Sequence, residues 1–388
     1  MKKTRFARRF YDERHLPAPR AEYWPESSAE LRALLEEEPS DDGKCLVPRI
    51  ILGEGQQVRT ALIGERTFDV IRTGKCNKIL SLDTKSGLAR VESGTSWRDL
   101  QRGLADEGWS LARYGLYPST GTIGGLLSQN HMISKDLFYG DIREGCVALT
   151  ATSPTIHQYR YIPAPRKASG PDMRYLFIGG EGLLGAILDA TMVMWKPSGG
   201  RLFRWKVEDA RAAAQMARKL FLLGVRPAWC HYDSSPGEFS AAVVAPEPLL
   251  DSIQANTANT LGEPHQIGDK EAMESRRRWL EDRHPARRSA PGASETLRIA
   301  MSLTTLADGG EDLLAEPPRL EIHQFSSHRA LVYATFEGAS ALAKFRKKHL
   351  ARFLEMRTIL GDDPVVWHPS IQALKRELDE SRLLAIGP

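Results

Sequence analysis

Two glycine-rich stretches carry the residue types and spacing that could bind an anionic ligand. The first is Gly53-Glu54-Gly55; the second, YPSTGTIGGLLSQN at 117–130, has adjacent glycines at 124 and 125. Glycine permits positive φ and close backbone approach, and N–H groups in such loops form anion-binding concavities. Neither stretch matches the Rossmann fingerprint or the P-loop. Their spacing therefore indicates either a dinucleotide held by loops, through its pyrophosphate, or glycine turns that are purely structural.

The candidate chemical side chains lie in the second half of the chain. His231 and Tyr232 are neighbours on a predicted strand, so only one of them can face a bound ligand. A histidine with a pKa near neutrality suits proton abstraction from a hydroxyl group. The alternative is a half-buried histidine without a chemical role. Arg278 also has two interpretations. It could bind a carboxylate bidentately, or it could belong to a solvated basic helix.

Size and composition place these residues in an ordinary globular protein. The chain has 388 residues, 41% hydrophobic and 26% charged, with a net charge of +4. This length suits two domains, and this charge gives no argument for a nucleic-acid partner. No apolar run is long enough for a transmembrane segment, and no secretion signal is present. Four scattered cysteines, without metal spacing, indicate reduced thiols in a cytoplasmic protein; the basic start predicts a solvated tail or a peripheral contact with the inner membrane face.

Local signals predict the elements that must position these residues. Up to about residue 198 they predict a helix capped by Ser27 or Ser28, a hairpin between Asp83 and Gly87, and a helix ending at Gly108. The stretch 117–130 is predicted as a loop. Beyond residue 199 they predict a helix at 209–224, several antiparallel strands, and a helix running to Met356. The fold class expected is α+β, with helices on one side of the second block.

The order of these elements resembles the flavoproteins of the vanillyl-alcohol oxidase / p-cresol methylhydroxylase (PCMH-type) family over the whole chain. The matching pieces include LGEGQQV, YPSTGTIGGLLSQN, FYGDIREGCVAL and ALKRELDESRLLAIGP. Within the family, the chain is most similar to the FAD-binding subunit of glycolate oxidase and related 2-hydroxy-acid dehydrogenases. The resemblance implies a two-subdomain PCMH-type FAD-binding domain and an antiparallel α+β cap. The boundaries expected are a basic tail at 1–20, the FAD domain at 21–198, the cap at 199–364, and a helix and tail at 365–388 that return to the FAD domain.

The same resemblance implies which residues contact FAD. The pyrophosphate loop corresponds to Gly53, Glu54, Gly55, Gln56 and Gln57. The segment along the ribityl chain and the ring corresponds to Pro118, Ser119, Thr122, Gly124, Gly125, Ser128 and Asn130. A further family turn contains Gly140 and Asp141, and the backbone at Ile187 corresponds to the adenine contact. A stretch poor in bulk and charge would let main-chain N–H groups reach the flavin.

Departures from the family pattern bear on these expectations. Glu54 replaces a small residue, and a carboxylate close to a pyrophosphate would repel it. Either Glu54 points outward and only the backbone binds, or FAD affinity is weakened. The pyrophosphate loop has no histidine, so FAD is expected to be noncovalent. His323 lies in EIHQFSSH, which lacks the glycine–acid pattern of metal-assisted relatives, so it is a catalytic candidate without a metal site.

The function implied is an FAD-dependent oxidoreductase that oxidises an alcohol or 2-hydroxy acid, a small-molecule substrate, by hydride transfer to flavin. His231, Tyr232, Arg278 and His323 are the candidate catalytic residues. The electron acceptor would be a protein partner subunit, a quinone or oxygen. The alternative is a flavin-fold subunit of a multiprotein complex, with a scaffold or electron-relay role and weakened or lost FAD binding.

Overall fold

The computed structural model supports a description of most elements of the chain. The residues that the structure describes are 3–4, 17–36, 47–55, 67–111, 120–130, 140, 142–163, 172–197, 200–235, 237–267, 295–302, 306–307, 319–323, 329–349, 355–358, 369–379 and 384.

The first sheet has four strands in the order β1-β2-β4-β3. Its elements are β1 (Lys3–Thr4), β2 (Ala21–Tyr23), α1 (Ser28–Leu35), β3 (Arg49–Leu52) and β4 (Asp69–Arg72). β2, β3 and β4 run parallel, whereas β1 pairs antiparallel with β2. Ser27 caps α1, because its side chain accepts a hydrogen bond from the N–H of Glu30. The strand at β1 differs from the solvated tail predicted for residues 1–20, since backbone pairing attaches it to the sheet edge.

The second sheet has five antiparallel strands in the order β5-β6-β9-β7-β8. Its elements are β5 (Ile79–Asp83), β6 (Leu88–Glu92), α2 (Trp97–Asp106), α3 (Ile123–Gln129), α4 (Ile142–Gly145), β7 (Cys146–Thr152), β8 (Tyr159–Tyr161) and β9 (Ala186–Val193). The helices α2, α3 and α4 share one core with the apolar side chains of one sheet face. The leucines of α1 join the two sheets, because they pack against Ile71 of β4 and Leu188 of β9.

The segment α3 corrects the prediction of a loop at 117–130. Thr122 caps this helix, and its hydroxyl accepts a hydrogen bond from the N–H of Gly125 at 3.2 Å. Ile123, Leu126 and Leu127 are buried in the core of the second sheet. An i, i+3, i+4 apolar pattern behind a cap therefore outweighs the low helix propensity of two glycines.

The third sheet, in the cap, has eight antiparallel strands in the order β13-β10-β12-β11-β15-β16-β14-β17. Its elements are β10 (Gly200–Lys206), α5 (Ala210–Leu222), β11 (Trp229–Asp233), β12 (Glu238–Val244), α6 (Glu247–Leu261), β13 (His265–Ile267), β14 (Glu295–Ser302), β15 (Arg319–His323), β16 (Arg329–Phe336), α7 (Ala339–His349) and β17 (Glu355–Thr358). One sheet face shares a core with α5, α6 and α7. The predicted α+β class is confirmed.

Two cap elements differ from the sequence prediction. The polar stretch that begins near Asp251 contains the second half of α6, which starts after Pro246 with a further proline in its first turn. The helix predicted to run to Met356 ends at His349, and Glu355–Thr358 forms β17 instead. Pairing of β17 with β14 provides backbone hydrogen bonds that local helix propensity cannot anticipate.

The helix α8 (Pro369–Leu378) packs against the first sheet. Leu378 is buried with Ile50, Leu52 and Val70, and Leu384 forms a parallel bridge with Arg49.

Among the described cysteines, Cys76, Cys146 and Cys230 are free and buried, and burial raises the pKa of Cys76 and of Cys146 to about 12. None of the helices in the described part of the chain is long and apolar enough to cross a membrane.

Candidate functional site

The first glycine stretch lies where three parallel strands end. β2 ends at Tyr23, β3 at Leu52 and β4 at Arg72, and Leu52 is in register with Arg72. Ligands of open sheets with parallel strands bind outside the carboxyl ends of those strands. Gly53 and Gly55 follow β3 at this edge, and the φ of 62° at Gly55 is one that favours glycine.

The two glycine stretches meet although 69 positions separate Gly53 from Thr122. A Cβ at Gly53 would overlap Oγ1 of Thr122 and lie 3.1 Å from its Cβ. Only a residue without a side chain permits this approach. Arg72 attaches this loop to the sheet. Its Nη1 donates to the carbonyl of Gly53 at 3.0 Å, and its Nε donates to the carboxylate of Glu22 at 3.2 Å.

Glu54 lies at the edge where β2, β3 and β4 end. Its side chain is exposed, and Oε1 lies 3.5 Å from the place where a Cβ of Gly74 would be. Trp24 borders the same place at 3.7 Å. The carboxylate therefore extends along this edge, and its outward orientation relative to a pyrophosphate stays a prediction.

The first turn of α3 does not offer free N–H groups. Ile123 donates to the carbonyl of Thr95 at 2.9 Å, and Gly124 donates to the carbonyl of Ser93 at 2.7 Å. Gly125 donates to the Thr122 hydroxyl. This corrects the expectation that main-chain N–H groups of Gly124 and Gly125 reach the ligand. Gly124 instead permits close packing, because a Cβ there would lie 2.6 Å from that of Ser93.

Ser93 is a buried contact of α3 that sequence reasoning missed. Its side chain is 1% exposed, and no described residue forms a hydrogen bond with its Oγ. Its carbonyl accepts a hydrogen bond from the N–H of Gly124, which attaches the start of α3 to the end of β6. The signal available in the sequence was its place before Gly94 in VESGTS, at the end of β6.

The end of α3 packs against a turn at residues 179–185, here called the 179–185 turn. Gly179 donates to the carbonyl of Leu127 at 3.0 Å, and Glu181 donates to that of Ser128 at 2.8 Å. Asn130 ends the helix in the left-handed region with φ 43°. Ile187 follows the turn in β9, is buried, and pairs with Ala151. The 179–185 turn therefore connects the end of α3, which contains Ser128 and Asn130, to β9, which contains Ile187.

The remaining predicted site residues divide into one that the structure describes and six that it does not. Gly140 is described: its φ is 79°, and it lies beside Glu144. Gln56, Gln57, Pro118, Ser119, Asp141 and Arg278 lie outside the described residues.

In the cap, the third sheet separates His231 from Tyr232. Tyr232 is 3% exposed within the helix-covered core, where burial raises its pKa. This position corrects its assignment as a catalytic candidate. His231 is half-buried on the other face, with its ring 6.2 Å from that of Trp229. His323 is directly opposite His231 in the β11–β15 register, and its side chain lies outside the described part.

The face that carries His231 also carries buried polar residues that sequence reasoning missed. Ser240 is in register with His231, and Glu321 is in register with Tyr333; all except His231 are at most 5% exposed. Arg319 joins two acids, with Nη2 2.9 Å from Glu321 and 3.0 Å from Asp233. We call His231, Ser240, Glu321 and Tyr333 the polar face of the cap. Strand alternation could have grouped them once the sheet register was known.

Comparison with known proteins assigns the N-terminal part. Residues 19–155 match the family profile described as FAD binding domain. This part of the chain is similar to FAD binding domains. Its matched span contains β2 to β7, both glycine stretches and Ser93.

Three relatives are similar in sequence to less than half of this chain. An FAD-linked oxidoreductase of Escherichia coli K12, YgcU, is 26% identical over 42% of this chain and 34% of its own length. Alkyldihydroxyacetonephosphate synthase of Caenorhabditis elegans is 27% identical over 44% and 28%. D-lactate dehydrogenase (cytochrome) 1 of Saccharomyces cerevisiae is 30% identical over 30% and 20%. The alignments therefore span about a third or less of these relatives' own length.

A solved structure extends the likeness to the cap. Alkyldihydroxyacetonephosphate synthase superposes with a TM-score of 0.75 at 16% identity, covering 95% of this chain and 77% of that one. This confirms the fold, a PCMH-type FAD binding domain with an antiparallel α+β cap. The finer resemblance to glycolate oxidase subunits stays a prediction.

The residues of the matched span agree with a bound cofactor at the edge of the first sheet. Gly53 and Gly55 follow β3 there, at the carboxyl ends of three parallel strands, where ligands of such sheets bind. Gly53 and Gly124 themselves allow close packing within the protein, because Thr122 and Ser93 occupy the places where their Cβ atoms would be. No cluster of metal-ligating side chains occurs among the described residues.

Proposed function

We propose that this protein is an FAD-dependent oxidoreductase that oxidises an alcohol or a 2-hydroxy acid. The observation that carries the proposal is the glycine loop at Gly53 and Gly55, which follows β3 at the carboxyl edge of three parallel strands and is held there against Thr122. Ligands of such sheets bind at this edge, and the match of residues 19–155 to the FAD binding domain supports FAD as the ligand. The relatives named as oxidoreductase and dehydrogenase support the reaction class.

In this proposal FAD, held noncovalently, supplies the acceptor for the hydride of the substrate. The protein supplies orientation and a base. His231 is the candidate base, because it is half-buried on the polar face and a neutral imidazole accepts a hydroxyl proton. Trp229, packed beside it at 6.2 Å, restricts the orientation of the imidazole. Neighbouring Tyr232 is excluded from this role by its position in the helix-covered core.

The cofactor is tested by an absorption spectrum of purified protein before and after acid precipitation. We expect flavin bands in the native protein and their full release into the supernatant, since no covalent tether is predicted. Absence of flavin, including after reconstitution with excess FAD, would contradict the proposal and favour the scaffold alternative. Flavin retained in the pellet would contradict only the noncovalent attachment.

The reaction is tested by anaerobic reduction of bound flavin with 2-hydroxy acids and alcohols. His231→Asn is expected to slow reduction by a hundredfold or more, the scale of losing a general base (about 10²–10⁴), while FAD content stays unchanged. Tyr232→Phe is the matched control, because it alters the adjacent residue on the opposite face, and reduction is expected at the wild-type rate. Equal rates in His231→Asn and wild type would contradict the role of His231.

A further inference from the structure

Lys375 of α8 is a buried ammonium whose hydrogen bonds lead to the flavin segment. Its Nζ donates to the carbonyl of Leu183 at 2.8 Å and lies 2.7 Å from a carboxylate oxygen of Asp379. It also donates to the carbonyl of Leu384 at 3.3 Å. The ammonium group of Lys375 therefore connects α8 to Asp379, to Leu384 and to the 179–185 turn. A lysine is rarely buried unless its charge is paired in this way.

The 179–185 turn is in direct contact with the end of α3. Leu183 donates to the carbonyl of Gly180 at 2.7 Å, and Gly179 and Glu181 donate to Leu127 and Ser128. A Cβ on Gly179 would lie 3.3 Å from that of Asn130. An unbroken path of backbone contacts thus runs from Lys375 to the helix that borders the flavin.

This contact also holds strained backbone. Among the described residues, Asn130 with φ 43° and Glu181 with φ 49° are the two non-glycine residues in the left-handed region. Asn130 ends α3, and Glu181 belongs to the turn that packs against that end. Such conformations persist only where surrounding interactions impose them. The bond from Lys375 to the carbonyl of Leu183 is one such interaction within this turn.

We propose that Lys375 is a positioning residue for the flavin: through the carbonyl of Leu183, α8 holds the 179–185 turn against Ser128 and Asn130. The proposal rests on the assignment of FAD to this domain. It makes FAD affinity, and the environment of the flavin ring, dependent on a side chain near the end of the chain. It also gives the packing of α8 on the first sheet a role in cofactor binding.

The test compares Lys375→Met, which keeps the length of the side chain and removes its donors, with Arg376→Met, an exposed change on the same helix. We expect Lys375→Met to exchange the amide hydrogens of Gly179 and Glu181 about tenfold faster and to bind FAD about tenfold more weakly, the scale of one charged hydrogen bond. The visible circular dichroism of bound FAD should change as well. Arg376→Met should match wild type in all three.

A double variant, Lys375→Met with Asp379→Asn, removes the lone buried charge that the single variant leaves. It should fold normally and still show fast exchange and weak FAD binding. Wild-type exchange and affinity in either lysine variant would overturn the proposal, as would an equal loss in Arg376→Met. If the wild type itself binds no FAD, the proposed function fails, while amide exchange in the same proteins still decides the role of Lys375.

Discussion

At the residue scale, the contacts around the proposed flavin site require glycines at positions 53 and 124. Gly53 and Gly124 bring Thr122 and Ser93 into contact with loops distant in sequence, and in both cases a Cβ would meet atoms closer than van der Waals distance. The N–H groups in the first turn of α3 are already bonded within the protein. Gly53 and Gly124 therefore matter mainly because they lack a side chain, and not because they expose a backbone N–H group.

Substitution of Gly53 tests this account. Gly53→Ala should weaken FAD binding at least tenfold and destabilise the fold by about 1–3 kcal/mol, because the new methyl group overlaps Oγ1 of Thr122. Gly74→Ala is the control: its Cβ would lie 3.5 Å from Glu54 and 3.7 Å from Trp24, which is ordinary contact. FAD titration and thermal unfolding measure both effects. Equal affinity of Gly53→Ala and wild type would contradict the close approach.

At the element scale, Arg72 connects three pieces of the site. It ends β4, donates to the carbonyl of Gly53 after β3, and pairs with Glu22 of β2. Arg72 and Glu22 side chains are 5% and 4% exposed. Removing one member of a buried pair of this kind takes an opposite charge away from the other member in the interior, which is costly.

We expect Arg72→Met to lower the free energy of unfolding by about 3–5 kcal/mol, as is typical when one partner of a buried ion pair is removed. The neighbouring control is Lys75→Met: Lys75 pairs with Glu26 at the surface, with exposures of 50% and 67%. That change should cost about 1 kcal/mol or less. Urea unfolding of both variants separates them, and a loss for Arg72→Met as small as for Lys75→Met would be evidence against the buried pair.

At the scale of the whole molecule, the cores fall into two groups. Among the described residues, the core between the third sheet and its helices contains only residues 203–345, whereas the cores of the first two sheets contain residues of α1, of β3 to β9 and of α8, together with Leu384. After the third sheet, the chain therefore returns to the first sheet with α8.

Two separate cores predict two unfolding transitions, of which FAD shifts one. At a hundredfold excess over its dissociation constant, FAD should stabilise its domain by about 2.7 kcal/mol, and the cap transition should stay in place. Differential scanning calorimetry with and without FAD measures this. A single transition that moves as a whole would show that the two cores unfold together.

Local sequence signals determined much of the element pattern. Ser27 and Asp209 cap their helices, and the Asp83–Gly87 reversal joins β5 to β6. The FAD binding domain was also recognisable from the order of its motifs. These features depend on residues a few positions apart, so the chain itself carries them.

Tertiary structure alone decided the rest. Alternation along β11 required His231 and Tyr232 to face opposite ways, but only the helices packed on one side of the sheet decided which is buried in the core. Likewise, no local pattern links Gly53 to Thr122, Ser93 to Gly124, or Lys375 to Leu183. Each of these contacts joins positions at least 31 residues apart in the sequence, and the contact exists only because whole sheets and helices pack against one another.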